Sequence, residues 1–378
     1  MVIIMEKVFI GGLARTPICR LDGNLKTLTA EDLAVQVVRD LLAKTGLAPK
    51  KISEVIIGNA KQTSTHSNLG RYVTLAADLP EETPAYTVQR QDVSGMQAII
   101  NGYAKIKSGN ANVILAGGTE SMSQIPYEIL DARYHFSPEK IVMNPIDAMI
   151  SGSQPSKQYG TVTLDRINQE IGKKYAISEA HQKEFAQLSR EKAIRSPLQE
   201  NIVPITVKLK KTTLNVTSDD IYEQMEQIAA PADAAAVCFL MNQLALNDNR
   251  VKPLAEIVSI GTSAGNPLDS GLLGTEAAKQ ALEKAGKTIQ KMDLIEINEI
   301  TAAQTLAAST QLGLSNGDIE DKLNVHGGAL ATGNPWGASG VLLINQLICG
   351  LQEAGKEWGL ALCGATGGQA IAVVVKII

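Results

Sequence analysis

The chain has 378 residues, of which 44% are hydrophobic and 20% charged, and its formal net charge is −4. This length accommodates two domains, or one large two-part domain, with a sizeable core. The slight acidic excess is unlike the basic balance of nucleic-acid binding proteins, so we expect no nucleic-acid partner. No apolar run reaches the roughly 18 residues that a spanning helix needs, so we expect no membrane association.

The first third of the chain alternates strand and helix patterns. Residues 7–18 read as a buried strand followed by a loop, and residues 27–47 as an amphipathic helix. Thr29 and Asp32 form a capping-box pattern at the start of that helix, and Gly46 ends it. Further strands are predicted at 50–60, 83–90 and 112–121, with a helix from Ser94 to about Ser108. Such alternation favours an α/β fold whose strands are mostly buried.

The second half of the chain repeats this order. Residues 274–300 follow the pattern of residues 28–60, so that Asn298 corresponds to Asn59. Gly340 and Cys363 then correspond to Gly95 and Ala116 at nearly the same offset. Matches in one order at one offset indicate an internal duplication, with a strand–helix–strand–helix–strand unit in each half.

Residues 121–248 show no counterpart in the second half and are rich in polar and charged residues, with one good helix pattern at 178–196. We therefore predict three parts: an N-terminal half (1–120), a loop subdomain with a return to the first half (121–248), and a C-terminal half (249–378). Inserted loops of this kind usually carry binding determinants.

The four cysteines are widely separated and form no CxxC pair; they are Cys19, Cys238, Cys349 and Cys363. Their spacing predicts neither a metal knuckle nor a disulfide framework, and the four histidines show no ligand spacing. A reducing, cytoplasmic compartment fits this usage, and the first residues lack the basic start of a signal peptide.

The turn before the helix at Ser94 has the geometry that often presents a catalytic residue. In "VQRQDVSGMQAII" (88–100) a strand leads through a tight turn into the helix. Backbone N–H groups and the helix dipole favour negative charge at such a turn, and enzymes often place a cysteine thiolate there. This chain has Asp92 at that position.

Several motifs, in order and spacing, resemble the thiolase family over essentially the whole chain, and the biosynthetic acetyl-CoA acetyltransferases are most similar. They are "ARTPI", "VSGMQAI", "AGGTESMS", "DLIEINEI", "NVHGGALATGNPWGASG" and "LCGATGG". The resemblance implies a five-layered α/β/α/β/α fold, built from two duplicated halves plus a loop subdomain. It also implies a homodimer or homotetramer assembled through the first-half strand region, and a CoA thioester as ligand with no bound cofactor.

The family's reaction uses four groups, and this chain has the family's residue type at two of the four matching positions. Cys363 matches the acid/base cysteine, and Asn298 matches the asparagine that holds a water in the oxyanion hole. Asp92 stands at the position of the nucleophilic cysteine, and Asn334 at that of the activating histidine. The predicted site is therefore Asp92, Asn334, Cys363 and Asn298, with the nucleophile and its base both replaced.

Further departures concern coenzyme A. Ile300 and Thr301 follow Glu299 where the family has Ala-Phe, and Thr163-Leu164 falls near the family's His-Met pair. Most of the loop that contacts the pantetheine arm is missing around residues 226–241. These differences put CoA binding in doubt together with catalysis.

The residues leave several interpretations of Asp92 open. A carboxylate is a poor nucleophile towards a thioester, and one at a helix N-terminus is stabilised in its ionised, weakly basic form. A structural interpretation is favoured, in which Asp92 caps the helix at Ser94 and accepts a hydrogen bond from Asn334. A general-base role in another reaction is the minor alternative. Cys363 reads most simply as a buried small residue, and Trp336 and Trp358 as packing residues.

Three functions follow in order of preference. The first is a thiolase homologue without normal thiolase activity, acting as a non-catalytic partner, for example of an intact thiolase-type chain, or as a weak acyl-CoA binder. The second is an altered acyl-thioester enzyme, a decarboxylase or acyltransferase, using Cys363, Asn298 and Asn334. The third is an ordinary acetyl-CoA acetyltransferase.

Overall fold

The computed structural model describes residues 6–63, 65–129, 146–150, 154–196, 202–223 and 226–378. Within these ranges the strands are β1 (Phe9–Arg15), β2 (Cys19–Arg20), β3 (Glu54–Gly58), β4 (Ala85–Val88), β5 (Val113–Ser121), β6 (Tyr127–Glu128), β7 (Ile146–Asp147), β8 (Ile205–Lys208), β9 (Thr213–Val216), β10 (Ala232–Met241), β11 (Ala255–Ala264), β12 (Leu294–Ile297), β13 (Trp358–Ala365) and β14 (Gln369–Ile377).

The α-helices of the same ranges are α1 (Ala30–Thr45), α2 (Leu69–Ala76), α3 (Ser94–Lys107), α4 (Ser156–Tyr159), α5 (Leu164–Lys174), α6 (Glu179–Arg195), α7 (Gln243–Asn249), α8 (Leu273–Lys284), α9 (Ala302–Leu312), α10 (Asn316–Asp321), α11 (Ala329–Thr332) and α12 (Trp336–Glu353). The helices predicted at 27–47, 94–108 and 178–196 are confirmed as α1, α3 and α6. The capping box of Thr29 and Asp32 is present, and Gly46 caps the end of α1 with φ of 66°.

The main strands hydrogen-bond in the order β12-β13-β14-β11-β1-β10-β5-β3-β4. Two half-sheets meet where β1 pairs with β11 over only two residue pairs, Phe9 with Glu256 and Ile10 with Ala255. Parallel pairs lie towards the two outer edges, β3 with β4 and β5, and β12 with β13. Antiparallel pairs lie nearer the junction.

Helices cover both faces of each half-sheet, which explains why β5 and β10 are mostly apolar and why all of their residues are buried. One hydrophobic cluster contains α3 and α12 between the two half-sheets. A second places α1 and α2 outside the first half-sheet, and a third places α8 and α9 outside the second. The five-layered α/β/α/β/α fold is confirmed.

The duplication extends further than the sequence motifs indicated. β10 lies between β1 and β5 in the first half, and β14 lies between β11 and β13 in the second. The expectation that 121–248 has no counterpart is therefore wrong for β10. β10 and β14 are mostly apolar and lack the glycine and asparagine residues that revealed the other matches, so only their positions in the sheet show that they are equivalent.

The central helices α3 and α12 approach each other closely at glycines. A Cβ added to Gly340 would lie 2.5 Å from Met96 Cβ and 2.8 Å from Met96 N, and one added to Gly95 would lie 2.5 Å from Gly337 O. This close approach brings the turn before α3 next to the segment before α12. It therefore places Asp92 beside Asn334.

We expect Gly340→Ala to lower the free energy of unfolding by about 1–3 kcal/mol, because the added methyl overpacks the helix contact. Gly317, in the solvent-facing helix α10, has only Ser315 Oγ near an added Cβ, at 3.8 Å. Gly317→Ala should therefore raise the free energy of unfolding by roughly 0.5–1 kcal/mol through helix propensity. Urea titrations of both variants check this. Equal effects of the two substitutions would contradict the close helix contact.

Candidate active site

Asp92 lies in a tight turn between β4 and α3. Gln91 adopts a positive φ of 51°, and Ser94 Oγ accepts from Arg90 N (2.8 Å) and donates to Gln91 O (2.5 Å). α3 begins at Ser94 with Val93 as its N-cap residue and no side-chain capping bond. The expectation that Asp92 caps this helix is therefore wrong. The strained turn directs its side chain to the second half of the chain instead.

Both carboxylate oxygens of Asp92 bind groups from that second half. Asn334 Nδ2 donates to Oδ1 at 3.0 Å, and the backbone N of Thr366 donates to Oδ2 at 3.2 Å. The predicted Asp92–Asn334 hydrogen bond is confirmed. Asp92 is 1% exposed and Asn334 is 2% exposed, so this bond is shielded from water and links the two halves inside the protein.

The amide of Asn334 is oriented by bonds at both ends. Its Oδ1 accepts from Ser339 Oγ at 2.6 Å and from Asn298 Nδ2 at 3.4 Å. Its backbone N donates to Ala230 O at 2.8 Å. Asn298 directly follows β12 and reaches Asn334 from the end of that strand. Two asparagines and one aspartate thus form a continuous hydrogen-bonded chain.

Cys363 completes the group that the sequence predicted. It is fully buried in β13, with Sγ 3.8 Å from the carbonyl oxygen of Asp92. Burial raises the pKa of the Cys363 thiol well above its usual value, and the negative charge of Asp92 raises it further, while a bond from Asn298 lowers it. The structure brings Asp92, Asn334, Cys363 and Asn298 together, with the cysteine as a neutral thiol.

The electrostatic environment of Asp92 differs from the one expected at a helix N-terminus. Burial raises the pKa of the Asp92 carboxyl above its usual range, although bonds from Asn334 and Thr366 and the charge of Lys61 lower it. The expectation of a strongly favoured carboxylate is therefore wrong in direction. Loss of water around a fully buried carboxylate outweighs the hydrogen bonds that it receives.

Glu120, at the end of β5, is a neighbouring buried carboxyl that the sequence reasoning missed. Its Oε1 accepts from Asn59 Nδ2 (2.8 Å) and Lys61 N (3.1 Å), and its Oε2 from Ala60 N (2.8 Å) and Gly337 N (2.9 Å). Burial raises the pKa of Glu120 to about 7, and the charge of Asp92 contributes. The sequence signal that could have revealed Glu120 is that it is the one charged residue of β5, a strand that is otherwise uncharged.

Lys61 is the second missed residue. Its Nζ donates to Ala148 O at 2.7 Å and lies 5.2 Å from the ring centroid of Trp336. Burial lowers the pKa of Lys61, while Glu120, Asp92 and other carboxyl groups raise it. Lys61 therefore supplies positive charge between the two buried acids and the indole.

A cavity of about 200 Å³ lies beside this cluster. Its apolar lining includes Met149, Val162, Leu164, Ile167 and Trp336, and it reaches Thr366, whose backbone N binds Asp92. A larger, polar cleft of about 530 Å³ lies between α5, α6 and residues 226–228, away from the cluster. The smaller cavity is the one relevant to the predicted site.

We expect the stability of the wild-type protein, relative to Asp92→Asn, to fall as the pH rises above 3.8, the usual pKa of Asp. Above that pH the native state holds the Asp92 proton more tightly than the unfolded state, so stability decreases until the native pKa is passed. Below it the carboxyl is protonated in both states and its contribution is constant.

Urea titrations between pH 4 and pH 8 of both proteins measure this difference. Asp92→Asn also removes a charge that raises the pKa of Glu120, which enlarges the difference in the same direction. A wild-type unfolding free energy that, relative to Asp92→Asn, stays constant or rises with pH would contradict a raised pKa for Asp92.

Comparison with known proteins agrees with this architecture. The family model for the thiolase N-terminal domain matches residues 8–234, and that for the thiolase C-terminal domain matches residues 251–377. The acetyl-CoA acetyltransferase of Syntrophomonas wolfei is 32% identical over 399 residues, covering 98% of this chain and 99% of the relative. A probable acetyl-CoA acyltransferase of Staphylococcus aureus is 31% identical over 398 residues, with the same coverage.

Solved structures give the same result. The Bacillus anthracis acetyl-CoA acetyltransferase has a TM-score of 0.92 and 28% identity, covering 99% of both chains. The human mitochondrial 3-ketoacyl-CoA thiolase has a TM-score of 0.91 and 30% identity, covering 99% of this chain and 100% of that one.

The residues that the structure describes show neither a membrane span nor a metal cluster. None of their helices is both long enough and apolar enough to cross a membrane, and no group of three or more His, Cys, Asp or Glu side chains is placed to hold a metal ion. With both thiolase domains matched along nearly its whole length, the chain belongs to the thiolase family.

Proposed function

We propose that this thiolase-family chain does not carry out the thiolase reaction and acts as a non-catalytic partner chain or as a weak acyl-CoA binder. The buried Asp92–Asn334 pair carries this proposal, because it occupies the place where the resemblance puts a cysteine–histidine pair. A carboxylate attacking a thioester would give a mixed anhydride that water can hydrolyse, and an asparagine amide cannot accept a proton at neutral pH.

The state of Cys363 supports the same proposal. A proton-transfer group works best when its pKa lies near the operating pH. Burial and the charge of Asp92 hold the pKa of Cys363 well above its usual value. Its thiol is therefore poorly suited to remove a proton from the α-carbon of an incoming thioester.

Access to the four predicted residues is also restricted. Their side chains are at most 8% exposed, and the adjoining cavity is lined by Thr366 rather than by Asp92 itself. Both carboxylate oxygens of Asp92 are already bound. A ligand in the cavity would therefore meet the backbone side of the cluster before any nucleophilic group.

An altered acyl-thioester enzyme is the second candidate, favoured by the contact between Asn298 and Asn334. Two amides 3.4 Å apart resemble the pair of donors that stabilises an oxyanion. However, Asn334 Nδ2 already donates to Asp92, and the Asp92 carboxyl when ionised would repel a carboxylated substrate. This candidate requires that Cys363→Ala changes a measurable turnover of acyl-CoA or acyl-carrier substrates.

The proposal includes a homodimer or homotetramer in the cytoplasm, with an intact thiolase-type chain as an alternative partner. The wide coverage of thiolase relatives supports a family-type assembly. A human 3-ketoacyl-CoA thiolase structure in complex with CoA, at a TM-score of 0.90, supports the CoA thioesters as the ligand class to test first.

We expect the purified protein to show no thiolysis of acetoacetyl-CoA above that of Asp92→Ala, because neither protein holds a thiolate nucleophile. At an acetoacetyl-CoA concentration high enough to offset weak binding, Asp92→Cys/Asn334→His should gain at least about tenfold over wild type, since it installs a nucleophile and its base in a retained fold. The loss of acetoacetyl-CoA absorbance measures both rates.

Two controls make this experiment decisive. Adding Cys363→Ser to the double variant should remove the gained activity, and the single variants Asp92→Cys and Asn334→His should gain much less than the pair. Wild-type thiolysis that disappears in Asp92→Ala would overturn the proposal and identify Asp92 as a working group.

A further inference from the structure

Trp336 stands at the boundary between the buried cluster and the cavity. It is the first residue of α12, two positions after Asn334, and it lines the cavity together with Thr366. The side chain is an indole, and the other lining residues are uncharged, including Met149, Val162 and Thr163. The size and polarity of any occupant are therefore limited by this residue.

The backbone at Trp336 has little freedom to move. Gly337 N donates to Glu120 Oε2 at 2.9 Å, and an added Cβ at Gly337 would lie 2.8 Å from Ala60 N. An added Cβ at Gly118 would lie 2.1 Å from Gly337 O, so β5 presses directly on the same peptide. The start of α12 is thus clamped between two strand ends.

The indole itself has an electrostatic partner. Lys61 Nζ lies 5.2 Å from its centroid, within the range of a cation–π contact. Lys61 is in turn anchored by the carbonyl of Ala148, at 2.7 Å, next to the cavity residue Met149. The contact therefore ties the indole to the same segment that forms another part of the cavity wall.

The opposite wall is also anchored. Ile167 on α5 packs into a small hydrophobic cluster with Ala303 and Ala307 of α9, and Val162 and Leu164 pack against that cluster. The residues of this wall therefore also join α5 to α9. Contacts of the described residues thus hold both walls of this cavity of about 200 Å³.

That volume selects a class of ligand. An apolar cavity of about 150 Å³ holds a molecule the size of benzene, whereas pockets for larger ligands occupy about 300–1,000 Å³. The cavity therefore suits a short, uncharged apolar group. It does not suit an acyl group together with a pantetheine arm.

We propose that Trp336, held by Lys61, is the residue that determines ligand size at this site. Its indole admits a short uncharged apolar group, such as the acyl end of a thioester, and excludes the pantetheine arm. This inference rests on the proposed function, for which it supplies the physical reason that acyl-CoA binding is weak.

Calorimetric titration with butyryl-pantetheine tests the exclusion. Trp336→Leu should bind this probe at least about tenfold more tightly than wild type, because the smaller side chain opens the cavity. Trp358→Leu is the matched control, since Trp358 also lies under a lysine, with Lys287 Nζ 4.0 Å from its centroid, but at the start of β13 and outside the cavity lining. The control should bind as wild type does.

Circular dichroism would reveal whether Trp336→Leu folds, and a second variant tests the inference if it does not. Lys61→Met removes the cation and leaves an uncharged, unbranched side chain that is one atom shorter, so it should loosen the indole and give a smaller gain in affinity. A folded Trp336→Leu that binds no more tightly than wild type would overturn the inference. If that variant does not fold, the absence of any gain in Lys61→Met would do the same.

The size of the admitted group is tested separately. The chain has two tryptophans, so Trp336 is the only one in Trp358→Phe. Addition of 2-pentanone should change the emission of Trp336 saturably, whereas a purely linear quench would contradict a bound short apolar group. Tight pantetheine binding by wild type without thiolysis would refute the size limit alone; thiolysis that depends on Asp92 would refute the proposed function.

Discussion

The close contact between α3 and α12 is the constraint on which the site depends. Gly95 and Gly340 let the two helix backbones approach closely, where even a methyl group would collide with Met96 or with Gly337 O. The segment before each helix carries one residue of the Asp92–Asn334 pair. The distance of 3.0 Å between Asp92 and Asn334 therefore follows from the packing of the central layer. A change of charge or chemistry at either position leaves this geometry available.

Two buried carboxyl groups of this region each accept several hydrogen bonds. Asp92 binds Asn334 and Thr366, and Glu299 accepts from Ser189, Asn324 and the backbone of Leu330. Burial raises the pKa of both carboxyl groups. The amide of Asn334 is bound at both ends, by Asp92 and by Ser339, and so holds the shape of this buried cluster.

Glu296 is a further buried carboxyl whose pKa is set mainly by burial. Within the described ranges, neither carboxyl oxygen of Glu296 has a hydrogen-bond partner. Burial, with the neighbouring charge of Glu299, raises its pKa well above its usual value, while Lys192 lowers it. Like Cys363, Glu296 is a titratable group whose surroundings favour its uncharged form.

The sequence by itself determined the α/β alternation and the duplicated halves, through local periodicity and glycine and capping signals written along the chain. The five layers and the grouping of Asp92, Asn334, Cys363 and Asn298 were implied by the resemblance of its motifs to the thiolase family. Only the tertiary structure decided that β10 matches β14, that Val93 rather than Asp92 precedes α3 as its N-cap residue, and that burial raises the pKa of Asp92. It also brought Lys61 and Glu120 to Trp336 and Gly337. The direction in which a side chain points, and the extent to which it is shielded from water, depend on residues far apart in the sequence. No local sequence pattern can therefore predict them.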